Sequence, residues 1–137
     1  MASYKTEATT GAPGQIDSPH HLIASDRVED TAVINREGVK LGSIKRVTID
    51  KLSGQVRYAV MSSGGFLGIG ESYHPLPWGV LNYNPEEGAY VVDLDRDTLQ
   101  HAPYYVGTDE PDWTDRAYGE RLHEYYRIEY PRHSLSM

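Results

Sequence analysis

The sequence predicts a mainly β protein: a small antiparallel β-barrel of about six strands, with a short helix after the last strand and a partly helical C-terminal extension. From Leu22 onward, short apolar runs alternate with turn residues, which is the pattern of antiparallel strands. Gly38, Gly54 and Gly88 end three of these turns. The chain has 137 residues, which is enough for one domain with short tails.

Residues 1–21 are expected to form a flexible arm. They are rich in Ala, Thr, Gly, Ser and Pro and carry few large apolar side chains, so burial cannot offset the entropy lost on ordering them. The segment has no apolar stretch typical of a secretory signal, and no run of about 18 apolar residues follows it. We therefore expect a cytoplasmic protein without a membrane span.

The first long strand is predicted over residues 41–50. Alternation places Leu41, Val47 and Ile49 on one face of this strand, whereas Ile44 falls on the polar face. A core built on this alternation would leave Ile44 outside.

Three further strands follow from the same pattern. Gly54 ends a polar loop and accepts the positive φ that such a hairpin loop requires, so residues 56–61 are predicted to return as the second strand of a hairpin. Residues 33–38 and 90–94 resemble strands that lie next to other glycine-containing turns. The hairpin around Gly54 is the clearest local prediction.

Prolines and acidic residues mark the remaining elements. Pro75 and Pro77 remove backbone donors, which confines residues 76–81 to an edge or a corner of the sheet. Asp95 can cap a short helix. A longer helix is predicted over residues 111–127, because proline and acidic residues lie at its N-terminal end. Its apolar stripe is predicted to contain Trp113, Ala117, Leu122, Tyr125 and Tyr126.

Charge and composition exclude several classes of function. The formal net charge of -7 would repel a phosphate backbone, so we expect no direct binding to nucleic acid. The chain contains no cysteine, which excludes disulfides, thiol catalysis and cysteine-ligated zinc.

No sequence motif indicates catalysis, a cofactor or a metal ion. Six histidines are present, but no His-x-His or His-x-x-x-His spacing occurs, which leaves open only a metal site assembled in three dimensions. The serines lack a nucleophile-elbow pattern. The glycine-rich residues 64–71 precede a proline-containing stretch that cannot begin a helix, so a phosphate-binding loop is not expected. We expect a protein that is not an enzyme.

The glycine-rich loop is instead a candidate for binding a partner protein. It carries Phe66, Leu67 and Ile69 between glycines, and apolar side chains on a loop often mark a contact surface. The alternative is that these side chains fold inward and plug the end of the barrel.

A tyrosine-rich C-terminal region is the second candidate for partner binding. The chain has eleven tyrosines and one phenylalanine, and tyrosine suits surfaces that are covered part of the time. Trp113, Tyr125 and Tyr126 belong to this group. They either pack on the chain's own barrel or contact a second subunit. On the basis of this region and the apolar loop we expect a homodimer.

Taken together, the motifs resemble PRC-barrel domains, in particular a small stand-alone bacterial branch of that family. The resemblance covers about residues 22–105 and leaves 106–137 as a C-terminal extension. The motifs are Gly38-x-x-Leu41-Gly42-x-Ile44-x-x-Val47-x-Ile49-Asp50, Ser53-Gly54-x-Val56-x-Tyr58-Ala59-Val60, the glycine-rich residues 64–71, Pro75-Leu76-Pro77-Trp78, Tyr90-Val91-Val92-Asp93-Leu94 and Ala102-Pro103.

The resemblance implies a function in binding. The wider family includes the cytoplasmic domain of the photosynthetic reaction-centre H subunit and the C-terminal domain of the ribosome-maturation factor RimM, and both imply a binding scaffold. We therefore expect a non-catalytic adaptor in a cytoplasmic assembly or stress-related process, with an unidentified protein partner. The alternative is a small-molecule or proton-handling module that uses Glu71 and His74 at the mouth of the barrel.

Overall fold

The computed structural model describes residues 22–63 and 71–130 and shows one seven-stranded sheet with three helices. The strands are β1 (Ala32–Ile34), β2 (Lys40–Ile49), β3 (Val56–Ser62), β4 (Ser72–Pro77), β5 (Asn82–Asn84), β6 (Ala89–Val91) and β7 (Tyr105–Val106). The helices are α1 (Ser25–Val28), α2 (Arg96–Gln100) and α3 (Arg116–Tyr125), and a 3-10 turn spans Trp78–Val80.

The prediction of a mainly β fold with a helix after the strands is confirmed, with two differences in the sheet. Its strand order is β5-β6-β1-β2-β3-β4-β7, so there are seven strands and not about six. Within the described ranges the sheet is not closed, because β5 and β7 form its two edges.

One strand pair departs from the predicted antiparallel arrangement. Strands β1 and β6 are parallel, with Val33 opposite Tyr90, whereas the other pairs are antiparallel. Parallel neighbours need a crossover connection, and here the chain completes β2 to β5 before β6 returns beside β1. No local sequence signal marks such a distant pairing.

The predicted hairpin is confirmed, but a bulge changes which side chains it buries. Strands β2 and β3 pair through the turn that ends at Gly54, whose φ is +78°. Ile44 and Arg46 pair with consecutive residues of β3, so Lys45 is an extra residue and the alternation shifts there. Ile44 is consequently fully buried and Ile49 is 52% exposed. The prediction that Ile44 lies on the polar face was wrong for this reason.

The proline-containing strand β4 lies next to the edge strand β7, has an outer edge that is unpaired at its prolines among the described residues, and leads into a corner. Strand β4 pairs with β3 along its length, but β7 covers only Ser72 and Tyr73. Pro75 and Pro77 lie beyond that pairing, and the 3-10 turn follows directly. A missing backbone donor therefore costs no ladder bond on that side.

The helix caps explain where the helices begin. Asp95 caps α2 as predicted, since its Oδ1 accepts a hydrogen bond from the Thr98 amide at 2.7 Å. Helix α3 begins later than the predicted 111–127 because Asp112 accepts the Thr114 amide at 3.0 Å in a local turn. Asp115 then accepts the Ala117 amide at 3.0 Å and starts the helix.

The buried face of α3 differs in part from the predicted stripe. Gly119, Leu122 and His123 are buried within the helix, and Tyr126 is buried at its C-terminal end, whereas Ala117 is exposed. These buried positions are spaced three and four residues apart, which places them on one side of a helix. The helix uses this side to cover the sheet.

Helix α3 covers one face of the sheet, and strand β3 is buried on both faces as a result. Every residue from Tyr58 to Ser62 is buried. Gly42 and Gly119 permit close contacts within this packing. A Cβ on Gly42 would overlap the carbonyl oxygen of Ser62, and a Cβ on Gly119 would lie 2.9 Å from the ring of Tyr130.

Candidate functional site

An arginine and two tyrosines form an ordered polar cluster where β2, β4 and β7 meet. Nη1 of Arg46 donates a hydrogen bond to the Tyr105 hydroxyl at 3.0 Å, and its Cζ lies 5.8 Å from the centre of the Tyr73 ring. The Tyr73 and Tyr105 rings are 5.2 Å apart. The Tyr73 hydroxyl donates to Oε1 of Glu71 at 2.9 Å. We call these four residues, Arg46, Glu71, Tyr73 and Tyr105, the arginine–tyrosine cluster.

The hydrogen bonds of the cluster favour one protonation state for each of its titratable side chains. The bond from Tyr73 lowers the pKa of Glu71 and raises the pKa of Tyr73, because it stabilises the carboxylate and holds the phenol proton. Burial raises the pKa of Tyr105, while Arg46 acts in the opposite direction. At neutral pH the cluster therefore presents an arginine cation and a glutamate anion on two neutral tyrosines.

The cluster lies at the base of the loop for which partner binding is predicted. Phe66, Leu67 and Ile69 themselves lie outside the described residues. The loop leaves β3 at Ser63, whose amide donates to the Ser72 carbonyl at 3.1 Å. This bond joins the two described segments between which residues 64–70 lie in the sequence, and Glu71 belongs to the second of them.

The predicted aromatic contact residues near the C-terminus pack on the chain's own sheet. Trp113 stacks on Tyr58 with ring centres 5.8 Å apart. The hydroxyl of Tyr125 donates to the Thr98 carbonyl at 2.6 Å and joins α3 to α2. Tyr126 is buried in the core, where desolvation raises its pKa. In this conformation Tyr126 is not available to a partner.

A buried histidine pairs with a buried tyrosine between α3 and β3. His123 is buried, with only 6% of its surface exposed, and its Nε2 lies 3.1 Å from the Tyr58 hydroxyl. Its ring packs edge-on against Tyr58 at 5.5 Å and Tyr130 at 5.2 Å between centres. Burial lowers the pKa of His123 and raises the pKa of Tyr58. We call His123, Tyr58 and Tyr130 the helix seam.

The two residues predicted for a small-molecule pocket lie on opposite faces of the sheet. Glu71 bonds Tyr73, whereas His74, the next residue of β4, pairs with Met61 and packs on the ring of Tyr104 at 5.9 Å. Consecutive strand residues point to opposite faces. Burial lowers the pKa of His74. The structure therefore does not bring Glu71 and His74 together.

An open groove lies between α3 and the segment that joins α2 to β7. Its volume is about 540 Å³. Tyr104, Arg121, Glu124 and Tyr125 contribute to its lining together with residues 101–103. None of the predicted ligand residues lies in this lining.

Comparison with known families agrees with the fold. The model of the PRC-barrel domain matches residues 20–99, which is more than half of the chain. The chain belongs to the PRC-barrel family. The resemblance inferred from the sequence motifs is confirmed.

Solved structures contain similar PRC-barrel chains. One is a putative 16S ribosomal RNA processing protein RimM from Pseudomonas aeruginosa, which is 22% identical to this chain with a TM-score of 0.35. The alignment covers 55% of this chain and 45% of the other, so this chain matches less than half of its length. A search of the curated proteins finds no match.

Among residues 22–63 and 71–130, no three histidine, aspartate or glutamate side chains are grouped so that they could hold a metal ion. Within the same residues, no helix has the length and apolar character needed to cross a bilayer.

Sequence reasoning missed the most buried polar contacts of this PRC-barrel. The sequence patterns assign no role to His123 or Gly119. The spacing of Gly119, Leu122, His123 and Tyr126 carried a usable signal, because residues three and four apart share one helix face. Arg46 gave no such signal, since the bulge at Lys45 sets its position.

Proposed function

We propose that this protein is a non-catalytic adaptor that binds a partner protein through the arginine–tyrosine cluster and the adjoining loop, residues 64–70. The observation that carries this proposal is the fixed, exposed guanidinium of Arg46, which is held by the Tyr105 hydroxyl and the Tyr73 ring. We propose that the protein acts in the cytoplasm, in an assembly or stress-related process.

The cluster has the composition and rigidity of a binding surface. Arginine and tyrosine are enriched among residues that dominate binding energy in interfaces. Arg46 is exposed, and among the described residues Tyr105 is its hydrogen-bond acceptor. The remaining N–H groups of its planar guanidinium can therefore reach a partner. Because the side chain is already ordered, binding costs less side-chain entropy.

The loop would supply the apolar part of the same surface. Phe66, Leu67 and Ile69 lie between Ser63 and Glu71 in the chain, and Glu71 belongs to the cluster. Interfaces commonly combine an apolar centre with a polar rim. Apolar residues that lie just before Glu71 in the sequence suit that arrangement.

Trp113, Tyr125 and Tyr126 have a different role in this proposal. They hold α3 on the sheet through ring stacking, a hydrogen bond to α2 and burial in the core. Their use by a partner would require α3 to leave the sheet. We therefore assign the permanent contact surface to the cluster and the loop.

A small-molecule or proton-handling function has less support. Glu71 and His74 face opposite sides of the sheet, as their contacts with Tyr73 and Met61 show. Side chains on opposite faces cannot converge on one small ligand.

Affinity capture followed by binding measurements tests the adaptor proposal. The tagged protein is recovered from its native cytoplasm at low salt, and a near-stoichiometric protein is identified, purified and titrated. We expect Arg46→Ala, and separately Phe66→Ser with Leu67→Ser, to weaken binding by about tenfold or more. Arg36→Ala is the matched control, because Arg36 is an exposed arginine in the turn after β1 and forms an ion pair with Asp93. Unchanged affinity of the Arg46 variant, or recovery of the protein alone, would contradict the proposal.

We also propose that two copies of the chain associate. Tyr104, which directly precedes the edge strand β7, and Val106 on that strand are 56% and 43% exposed. An uncovered sheet edge favours association. We expect sedimentation at micromolar concentration to show a dimer, and Tyr104→Ser with Val106→Thr to shift it towards the monomer. A single 15.4 kDa species in the unmodified protein would rule out the homodimer.

A further inference from the structure

The contact between α3 and the sheet contains a titratable group at its centre. His123 is on the buried side of α3, and Tyr58 and Tyr130 enclose its ring. Its Nδ1 has no hydrogen-bond partner among the described residues, while its Nε2 meets the Tyr58 hydroxyl at 3.1 Å. The neutral imidazole leaves this one buried ring nitrogen without a hydrogen bond, and it carries no charge into the pocket.

Protonation would make this contact unfavourable. A protonated histidine carries two N–H donors and a positive charge, and the charge would lie in a pocket of aromatic rings from which water is excluded. An uncompensated buried charge costs much more than a buried neutral group. Gly119 adds to the effect, because the close approach at this residue brings Tyr130 and Tyr58 directly against the helix.

The groups around His123 compensate that charge only in part. From β3 it faces the Tyr58 hydroxyl and the cation of Arg57, which repels a second positive charge. From the segment after α3 it faces Tyr130 and the backbone of Ile128 and Glu129, and this backbone favours the charged form. Desolvation by burial is the largest influence and lowers the pKa of His123 below 6.5.

The chain around α3 allows the helix to move without the sheet. Residues 107–115, which join β7 to α3, contain turns and no strand among the described residues. The described strands form their ladder hydrogen bonds with one another and not with α3, so the sheet does not need the helix for its backbone hydrogen bonds. Elements held by side-chain packing and joined by turns can open separately from the rest of a domain.

We propose that α3 is a pH-sensitive cover, which stays docked on β3 while His123 is neutral and is released when His123 is protonated. Release uncovers Tyr58 on the sheet and, separately, Leu122 and Tyr126 on the helix. This property belongs to the free protein and does not depend on the proposed partner.

The direction of the pH dependence follows from the buried state of the histidine. The docked form favours neutral His123, so the docking energy is fully present above pH 6.5 and is lost as the pH falls below it. Each pH unit below 6.5 raises the ratio of released to docked helix by at most about tenfold. Between pH 7.0 and 5.0 the ratio rises by at most about 25-fold.

Hydrogen exchange resolved by residue tests the proposal on the full chain. Amide exchange is measured at pH 7.0 and 5.0 and corrected for the intrinsic pH dependence of the chemistry. We expect the opening ratio of α3 amides to increase by about 10- to 25-fold relative to β3 amides. Using the β3 amides as the reference separates local release of α3 from any effect of protonating His74. His74 is buried on the opposite face, and its protonation would change exchange throughout the sheet.

Two variants and one direct titration complete the test. His123→Gln, which keeps a neutral hydrogen-bonding side chain, is expected to remove the excess pH response of α3. His101→Gln is the control, because His101 is an exposed histidine beside Asp97, and it should leave the response unchanged. Equal changes in α3 and β3, a response that persists in His123→Gln, or an NMR titration of His123 at or above pH 6.5 would each overturn the proposal.

Discussion

Replacement of Gly42 by alanine is expected to destabilise the protein by about 3 kcal/mol or more. Gly42 lies on β2, where the new Cβ would overlap the carbonyl oxygen of Ser62 and lie 3.0 Å from the side chain of Met61. The oxygen belongs to the backbone of the central strand β3, so it cannot move without disturbing the ladder between β2 and β3. Overpacking against a flexible side chain would cost less.

Urea unfolding followed by circular dichroism measures this effect as a lower midpoint with an unchanged slope. Lys45→Ala is the control on the same strand, because Lys45 is exposed, and we expect it to change the stability by about 0.5 kcal/mol or less. A midpoint for the Gly42 variant equal to that of the control would show that β2 and β3 are further apart than described.

Truncation of Leu122 to alanine is expected to cost about 3 kcal/mol of unfolding free energy. Leu122 is fully buried on α3 and belongs to the same apolar cluster as Ile44, Met61 and Leu76 of the sheet. The loss combines the apolar area removed from the core with the cavity that remains. At neutral pH, where α3 is docked, the effect should appear in global unfolding, because the docked helix and the sheet share one core.

The same unfolding experiment on Glu124→Ala supplies the comparison. Glu124 is exposed on the other side of α3 and lines the open groove, so its removal should have an effect of about 0.5 kcal/mol or less. If Leu122→Ala altered stability as little as Glu124→Ala, α3 would not be part of the cooperative fold.

The elements that sequence reasoning predicted well are those fixed by local chemistry. The glycine with positive φ at Gly54 and the capping carboxylate of Asp95 act within a few residues of themselves. The edge position of Pro75 and Pro77 follows from the missing backbone donor. Each of these features depends on the residue and its immediate neighbours.

The features that it missed depend on distant parts of the chain. Ile44 is buried because of a bulge at Lys45, and the pairing with β3 determines where the bulge lies. Tyr126 and His123 are buried because α3 lies against the sheet, in contact with β4 and with Tyr58 of β3. Nothing in residues 116–126 alone identifies those strands. Tertiary packing, and not helix periodicity by itself, decides which positions of a short helix are covered.

The arginine–tyrosine cluster illustrates the same limit for the candidate site. Arg46, Tyr73 and Tyr105 come from three strands, and their side chains meet because β2, β3, β4 and β7 are consecutive in the sheet. A search for motifs at short spacing cannot find such a group. The sequence did point to the adjoining loop through its apolar residues, and that prediction now awaits the binding measurements.

The parallel pairing of β1 with β6 has a consequence for how the protein forms. Strand β1 must wait for a strand that is synthesised much later, since the chain completes the β2–β3 hairpin and β4 in between. Contacts between distant residues slow folding because a long loop has to close first. We therefore expect the hairpin to form early during translation, whereas Val33 and Ile34 remain without their β6 neighbours until residues 89–91 have left the ribosome.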